Sequence, residues 1–177
     1  DQADAGDEYD FGAVAGDAPL VARVDRCTTR IAGPGVAELD VVHVLDVPTG
    51  LTDDRSARAS ATHALEVRTR VRVAPTSELA QLVVELDNRS TDHRLRLRAS
   101  VDGLATTDRV EALGHFAVVE RPVRHEATQV PWRQEPTQLD HCAGAVRARG
   151  VMLAGRGIHE YEADAGHVEI TALRAVG

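Results

Sequence analysis

The sequence predicts an all-β fold, most economically a sandwich of two antiparallel sheets, and three observations carry that prediction. Over residues 64–73, Val67, Thr69, Val71 and Val73 alternate with Arg68, Arg70 and Arg72. A strand sends such residues to opposite faces, whereas a helix would scatter them around its circumference. Strand-like segments recur at short intervals, punctuated by Gly, Pro, Asn and Asp, which is the rhythm of antiparallel sheets. No segment carries an apolar stripe at helical spacing over more than two turns, so crossover helices are not expected.

The chain opens unlike the rest of itself. In Asp1-Gln2-Ala3-Asp4-Ala5-Gly6-Asp7-Glu8-Tyr9-Asp10-Phe11, five carboxylates crowd a segment with two aromatic rings, in a chain that is only 3% aromatic. A buried strand would strand those charges, so residues 1–18 are expected to be an acidic surface loop leading into the first strand. A polar loop with an amphipathic ring at its centre suits a small polar ligand, which makes Tyr9 and its neighbour Asp7 candidate binding residues. Phe11 has no polar handle and is the better core anchor. Strand-like alternation would carry Tyr9 to the same side as Phe11 unless a turn at Gly6 twists the segment.

Residues 19–24 then begin the first strand, with Leu20, Ala22 and Val24 on one face. Ile31-Ala32-Gly33-Pro34-Gly35 is a turn by composition. Apolar residues dominate 36–47, which suggests a strand with much of both faces covered, and 48–54 breaks it. After the alternating strand at 64–73, the pattern returns at 79–86 and at 95–98. Residues 87–92 between them read as the turn of a β-hairpin with an arginine face. Asn88, Arg89, Asp92, His93 and Arg94 gather more polar groups there than a turn requires.

Residues 101–108 are expected to be a loop and 115–119 a short strand ended by Pro122. Two prolines around Trp132, the one tryptophan, make an extended loop in which the ring is either a lid on the core or a ligand platform; the lid is the reading adopted, since Trp is usually largely buried. Strands are expected in 145–154, 158–163 and 167–176, with Ala163-Asp164-Ala165-Gly166 as a hairpin turn.

Composition bounds what such a domain can do. A chain of 177 residues with 43% hydrophobic content buries roughly 70% of its unfolded surface, enough for one domain over 1–177 without staples. No apolar run approaches the ~20 residues of a membrane span. The net charge of −8 argues against nucleic acid or an anionic membrane as partner, because both reward a basic face. All 20 basic residues are arginine, which reads as codon bias and carries no functional weight. Cys27 and Cys142 pair only if the fold brings them together; two free buried thiols in a reducing compartment are the expectation. The eight histidines show no H-x-H or H-E-x-x-H spacing. Asp1, Asp4, Asp7 and Asp10 do not match the D-x-D-x-D-G calcium loop. Asn88-Arg89-Ser90 satisfies the N-glycosylation sequon but reads as turn chemistry. With neither an initiator methionine nor a leader in view, the chain is expected to be cut from something longer and to be cytoplasmic.

Asp4-x-Gly6-Asp7-x-Tyr9-x-Phe11 resembles the D-x-G-D-x-Y-x-(F/Y) signature that opens the C-terminal β region of glycoside hydrolase family 38 α-mannosidases. Three further stretches agree in order: Leu86-Asp87-Asn88-Arg89 with Asp92-His93-Arg94-Leu95-Arg96; Phe116-Ala117-Val118-Val119-Glu120-Arg121-Pro122; and Gly157-Ile158-His159-Glu160-Tyr161-Glu162 leading to Leu173-Arg174-Ala175-Val176-Gly177. Ala172 stands where the family usually has leucine, and 141–149 matches poorly.

The resemblance implies a central slice of a large, galactose-mutarotase-like two-sheet β-sandwich, whose cut edges leave strands open to self-association into a homo-oligomer. It implies a non-catalytic domain of a retaining α-mannosidase acting on terminal α-D-mannosyl residues. In that family the paired carboxyl groups such hydrolysis needs, and the zinc that grips the sugar, belong to an N-terminal catalytic barrel, so this chain is expected to hold no cofactor and to be inactive alone. Its implied partners are that barrel and a mannose-containing glycan, with Tyr9, Asp7, Arg94 and Arg89 as candidate substrate-binding residues. The alternative is a free-standing carbohydrate-binding or adhesive β-sandwich.

Overall fold

The computed structural model describes residues 1–7, 11–124 and 138–177. As predicted, all of their regular structure is β and every recorded pairing is antiparallel. The chain divides into two compact units, residues 1–94 with 175–177, and residues 95–174.

The first unit is built on a meander of β2 (Arg23–Gly33), β3 (Val36–Pro48), β4 (Thr62–Val73) and β5 (Gln81–Leu86), hydrogen-bonded in that order. A short β1 (Gln2–Ala3) pairs with the first two residues of β6 (His93–Ser100), Gln2 opposite Arg94 and Ala3 opposite His93. The period of two read from β4 governs the meander. Residues directly opposite across a pair share a face, so Leu45 and Leu65 meet on one side and Val67 lies two residues along that side; all three are buried. On the other side Arg68 Nη2 reaches Asp40 Oδ2 at 2.6 Å, and Arg30 and Arg70 converge on Glu38 at 2.5 and 3.5 Å. The β2–β3 turn falls at Pro34-Gly35, where Gly35 adopts φ 71° and a Cβ would lie 2.7 Å from the Pro75 ring.

Two expectations change here. The first long strand starts at Arg23 rather than at 19, because the backbone of Leu20 is already engaged: its N–H donates to Asp1 O at 2.8 Å and its carbonyl accepts from Asp1 N at 2.7 Å. Residues 79–98 are also not a hairpin. β5 pairs with β4, whereas β6 pairs with β1 and lies next to β13 (His167–Ala175) in a different sheet. The six intervening residues carry the chain out of the meander. Asn88 clamps Ser90 by accepting its N–H at 3.2 Å and donating to its carbonyl at 2.7 Å, Asp92 turns through φ 55°, and His93 buries its ring. The sequon asparagine thus serves the loop's own geometry.

The second unit holds the rest of β6 with β13, β12 (Glu160–Asp164) and β9 (Leu139–His141) in one sheet. β11 (Val151–Ala154), β10 (Ala145–Ala148), β7 (Arg109–Leu113) and β8 (Val118–Pro122) form another, so the strands of the described residues sort into three sheets. Val110, Val146, Tyr161, Val168 and Ile170 belong to its core. The β12–β13 hairpin turns where predicted, at Ala165-Gly166. The strand expected at 115–119 lies at Val118–Pro122, because Gly114 N–H bonds to Ala117 O at 2.8 Å and makes 114–117 a turn. Residues 145–154 fold into a hairpin about Arg149, at φ 51°. Both cysteines are free; Cys142 is buried, whereas Cys27 is exposed because its stretch of sheet is uncovered. Trp132, expected to be a lid on the core, lies outside the described residues.

Candidate functional site: the neck of the acidic loop

The opening segment is a loop with a built neck. Asp4 is fully buried, and its Oδ1 accepts the N–H groups of Gly6 at 2.9 Å and Gly12 at 3.0 Å. Ala5 N–H bonds to Gly12 O at 2.7 Å, Asp4 bridges Ala13 across the neck, and Asp4 N–H donates to Asp92 O at 2.9 Å. Residues 5–12 are thereby tied at both ends. Only glycine fits at 12, since a Cβ there would lie 2.6 Å from Gly6 N and 2.9 Å from Ala5 C, both backbone atoms.

Phe11 is the anchor the sequence suggested, at 7% exposure. The guanidinium of Arg94 lies over its ring, 3.6 Å from the centroid, and donates through Nε and Nη2 to Gln2 Oε1 at 3.1 and 2.7 Å. A desolvated guanidinium over an aromatic face is a firm contact. Arg55 ties the loop from another side, donating to Gly6 O at 3.2 Å and pairing with Asp92 at 3.0 Å.

Beneath the neck lies a second charged layer that the sequence reading did not identify. The Asp1 carboxylate, with no exposed side-chain surface, pairs through Oδ1 with Arg58 Nη1 at 2.6 Å and through Oδ2 with His93 Nδ1 at 2.5 Å. Arg58 also grips Asp17 at 2.6 Å, and Asp17 accepts Ala3 N–H at 3.0 Å. Burial works against the Asp17 charge, yet the Arg58 and Ala3 hydrogen bonds outweigh it and hold its pKa below the usual carboxylate value. Asp92 follows the same logic, with burial opposed by bonds from Gly177 and Thr91 and by the Arg55 charge. The His93 ring is fixed at its far end by Asn88 Oδ1, 3.0 Å from Nε2. Burial, then the Arg58 charge, press its pKa below the ordinary imidazole value. Acidic residues expected on the surface are therefore partly internal, each charge met by a guanidinium, an imidazole or backbone N–H groups. Arg58 and Asp17 went unnoticed because nothing local in sequence links residues 1, 17 and 58.

Of the four candidate ligand residues, Asp7 is exposed on the loop just beyond the neck, and Tyr9 lies outside the described residues. Arg94 is buried at 2% exposure in the contacts above. Arg89 takes a different position: it is exposed, bonds to Asp87 at 2.9 Å, and with His63, Glu66 and Asn88 helps line an open pocket of about 380 Å³. Among the described residues no three of His, Cys, Asp and Glu come together as metal ligands. The arrangement fixes the neck, and the buried carboxylates of Asp1 and Asp4 are committed to holding it.

No protein-family profile matches the chain. It is 24% identical, over 197 aligned positions that take in all of this chain and 21% of the relative, to a protein of Halalkalibacterium halodurans described as "Putative mannosylglycerate hydrolase". Two solved structures from Enterococcus faecalis share its fold at 24% identity: an α-mannosidase, at a TM-score of 0.81, and a protein of glycosyl hydrolase family 38, at 0.78. In both, 99% of this chain is covered but only 22% of the other. The chain thus spans about a fifth of the length of the proteins it matches. Over its whole length it is similar to one part of a family 38 glycoside hydrolase and has that part's all-β fold, as the four sequence motifs indicated.

Proposed function

We propose that this chain is the non-catalytic C-terminal β domain of a retaining α-mannosidase, where it supports the catalytic barrel and lends the 5–12 loop to the substrate cleft. The observation that carries the reading is the neck: a fully buried Asp4, a guanidinium stacked on Phe11 and a charged layer beneath all serve to fix the two ends of a polar segment of sequence. Fixed attachment points of this kind are what substrate positioning needs. Similarity to a fifth of an α-mannosidase supports placing the chemistry elsewhere in a longer polypeptide. The described donor set gathers no metal site, so this reading assigns the family's zinc to the barrel and derives no step through it on this chain.

The substrate class is a terminal α-D-mannosyl group, with a mannoside of a small hydroxy acid such as mannosylglycerate among the candidates, as the curated relative's description suggests. In this reading Tyr9 and Asp7 meet sugar hydroxyls. Arg94 acts from behind by fixing Phe11, and Arg89, exposed with its partner Asp87, is the guanidinium placed to meet a ligand. The test is Tyr9→Phe in the intact enzyme. Loss of one substrate hydrogen bond should lower kcat/KM by about 0.5–1.5 kcal/mol of transition-state binding with Tm unmoved. A fall in Tm with kinetics intact would return Tyr9 to the fold. Hydrolysis of an aryl α-mannoside by residues 1–177 alone would refute the non-catalytic assignment.

A further inference from the structure

The meander has two unlike faces. One carries the arginine–carboxylate rungs. On the other, register sets Ile31, Ala37 and Val73 on one rung and Thr29, Leu39, Val71 and Leu82 on the next, with Cys27 beside Val41 on a third. Further along that same face Leu45, Leu65 and Val67 are buried, at 5%, 3% and 4% exposure. The apolar pattern continues outward but the cover does not: Ile31 is 77% exposed, Leu82 54% and Val73 46%. An open groove of about 450 Å³ runs over Ile31, Leu39, Val71 and Val73. A single sheet face whose inner half is core and whose outer half is bare is half an interface, because a contiguous exposed apolar patch is costly in water and characteristically marks a binding surface.

We propose that the outer half of this face is the docking surface for a further part of the same polypeptide, outside residues 1–177. This rests on the reading of the chain as one domain of a longer glycosidase. Three observations favour that occupant. The face is continuous with buried core, so the partner extends a packing already begun. The proteins that this chain matches are four to five times its length, since it spans 21–22% of them. The rungs are apolar, whereas the charged residues of these strands sit on the opposite face, so the occupant presents an apolar surface of its own and the opposite face is left to water.

Cys27 lies on the docking face and is exposed in this chain, whereas the other thiol, Cys142, is buried, so the chain carries its own reporter. In the intact, monodisperse polypeptide, alkylation of Cys27 by iodoacetamide, read by peptide mass spectrometry, is expected to be ~100-fold or more slower than after unfolding in urea, as for a site that reacts only on local opening. Thr28→Cys, placed on the charged face in a Cys27→Ser background, should label at nearly the unfolded rate. Rapid labelling of Cys27 in the folded intact polypeptide overturns the proposal. So does protection that vanishes on dilution to monomer, which gives the face to a second copy. The labelling is read whether or not the polypeptide hydrolyses an α-mannoside, so failure of the glycosidase reading and failure of this one are separate results.

Discussion

Replacing Asp4 with alanine tests the neck at its centre. The carboxylate is fully buried and one oxygen, Oδ1, holds the N–H groups of Gly6 and Gly12 at 2.9 and 3.0 Å. Hydrogen bonds to a charged acceptor contribute about 1.5–3 kcal/mol each, and truncation leaves both donors without that acceptor. Water entering the vacated space recovers part of the loss, so Asp4→Ala should cost about 2–4 kcal/mol. Asp4→Asn keeps an oxygen in place but loses the charge and should cost roughly half as much. Urea unfolding gives the cost from the shift in midpoint at constant slope. Amide exchange gives the location: the Gly6 and Gly12 protons should lose protection in the alanine variant before the β3–β4 amides do. An alanine variant within about 0.5 kcal/mol of the parent, the range of ordinary surface changes, with both glycine amides unaltered, would refute the claim that Asp4 closes the loop.

Arg58→Ala should cost about 3–5 kcal/mol by equilibrium unfolding, because it leaves the buried Asp1 and Asp17 carboxylates without their shared cation; a loss below 1 kcal/mol would mean water already solvates them. Arg94→Ala should cost about 2–4 kcal/mol through loss of the Phe11 stacking and the Gln2 bonds, and Arg94→Lys should restore little of it, since an ammonium lacks the planar fork. In acid, the depressed His93 pKa means that the unfolded chain takes up its proton first. Its contribution is therefore complete above about pH 6.5 and is lost as pH falls through the lower folded value, with Asp17 and Asp92 adding a second decline below about pH 4. The urea midpoint followed from pH 7.5 to 5 should fall, and His93→Gln should flatten that limb; a midpoint that rises toward pH 5 would contradict the assignment.

The long strands were legible because each leaves a sustained pattern: β4 and β5 show a period of two, β3 is a long apolar run bounded by turns, and the β12–β13 hairpin has its glycine turn. Pairing was not legible. Alternation identifies a strand but not its neighbour, and the six residues between β5 and β6 have the length and composition of a hairpin turn. What sends the chain elsewhere is the buried His93 and the left-handed Asp92, and both depend on Asp1 and Asp4 at the far end of the sequence. The hairpin at Arg149-Gly150 was harder to see, since the left-handed position is taken by an arginine at φ 51° and a single glycine beside it is a weak turn signal. At the candidate site, Phe11 and the polarity of the loop could be read directly. The Asp1–Arg58–Asp17 layer could not, because ion pairs between residues 41 and 57 positions apart leave no periodic trace.

The ion-pair rungs of the meander have one further consequence. Every cation in them is a guanidinium, at Arg30, Arg68 and Arg70, and the Arg68 pKa is raised further by its hydrogen bond to Asp40. A lattice built on lysine would begin to discharge near pH 10, but guanidinium keeps its proton beyond pH 12. The charged face of this sheet is therefore bounded on one side only: alkali leaves it intact, and it dissolves solely where its carboxylates take up protons.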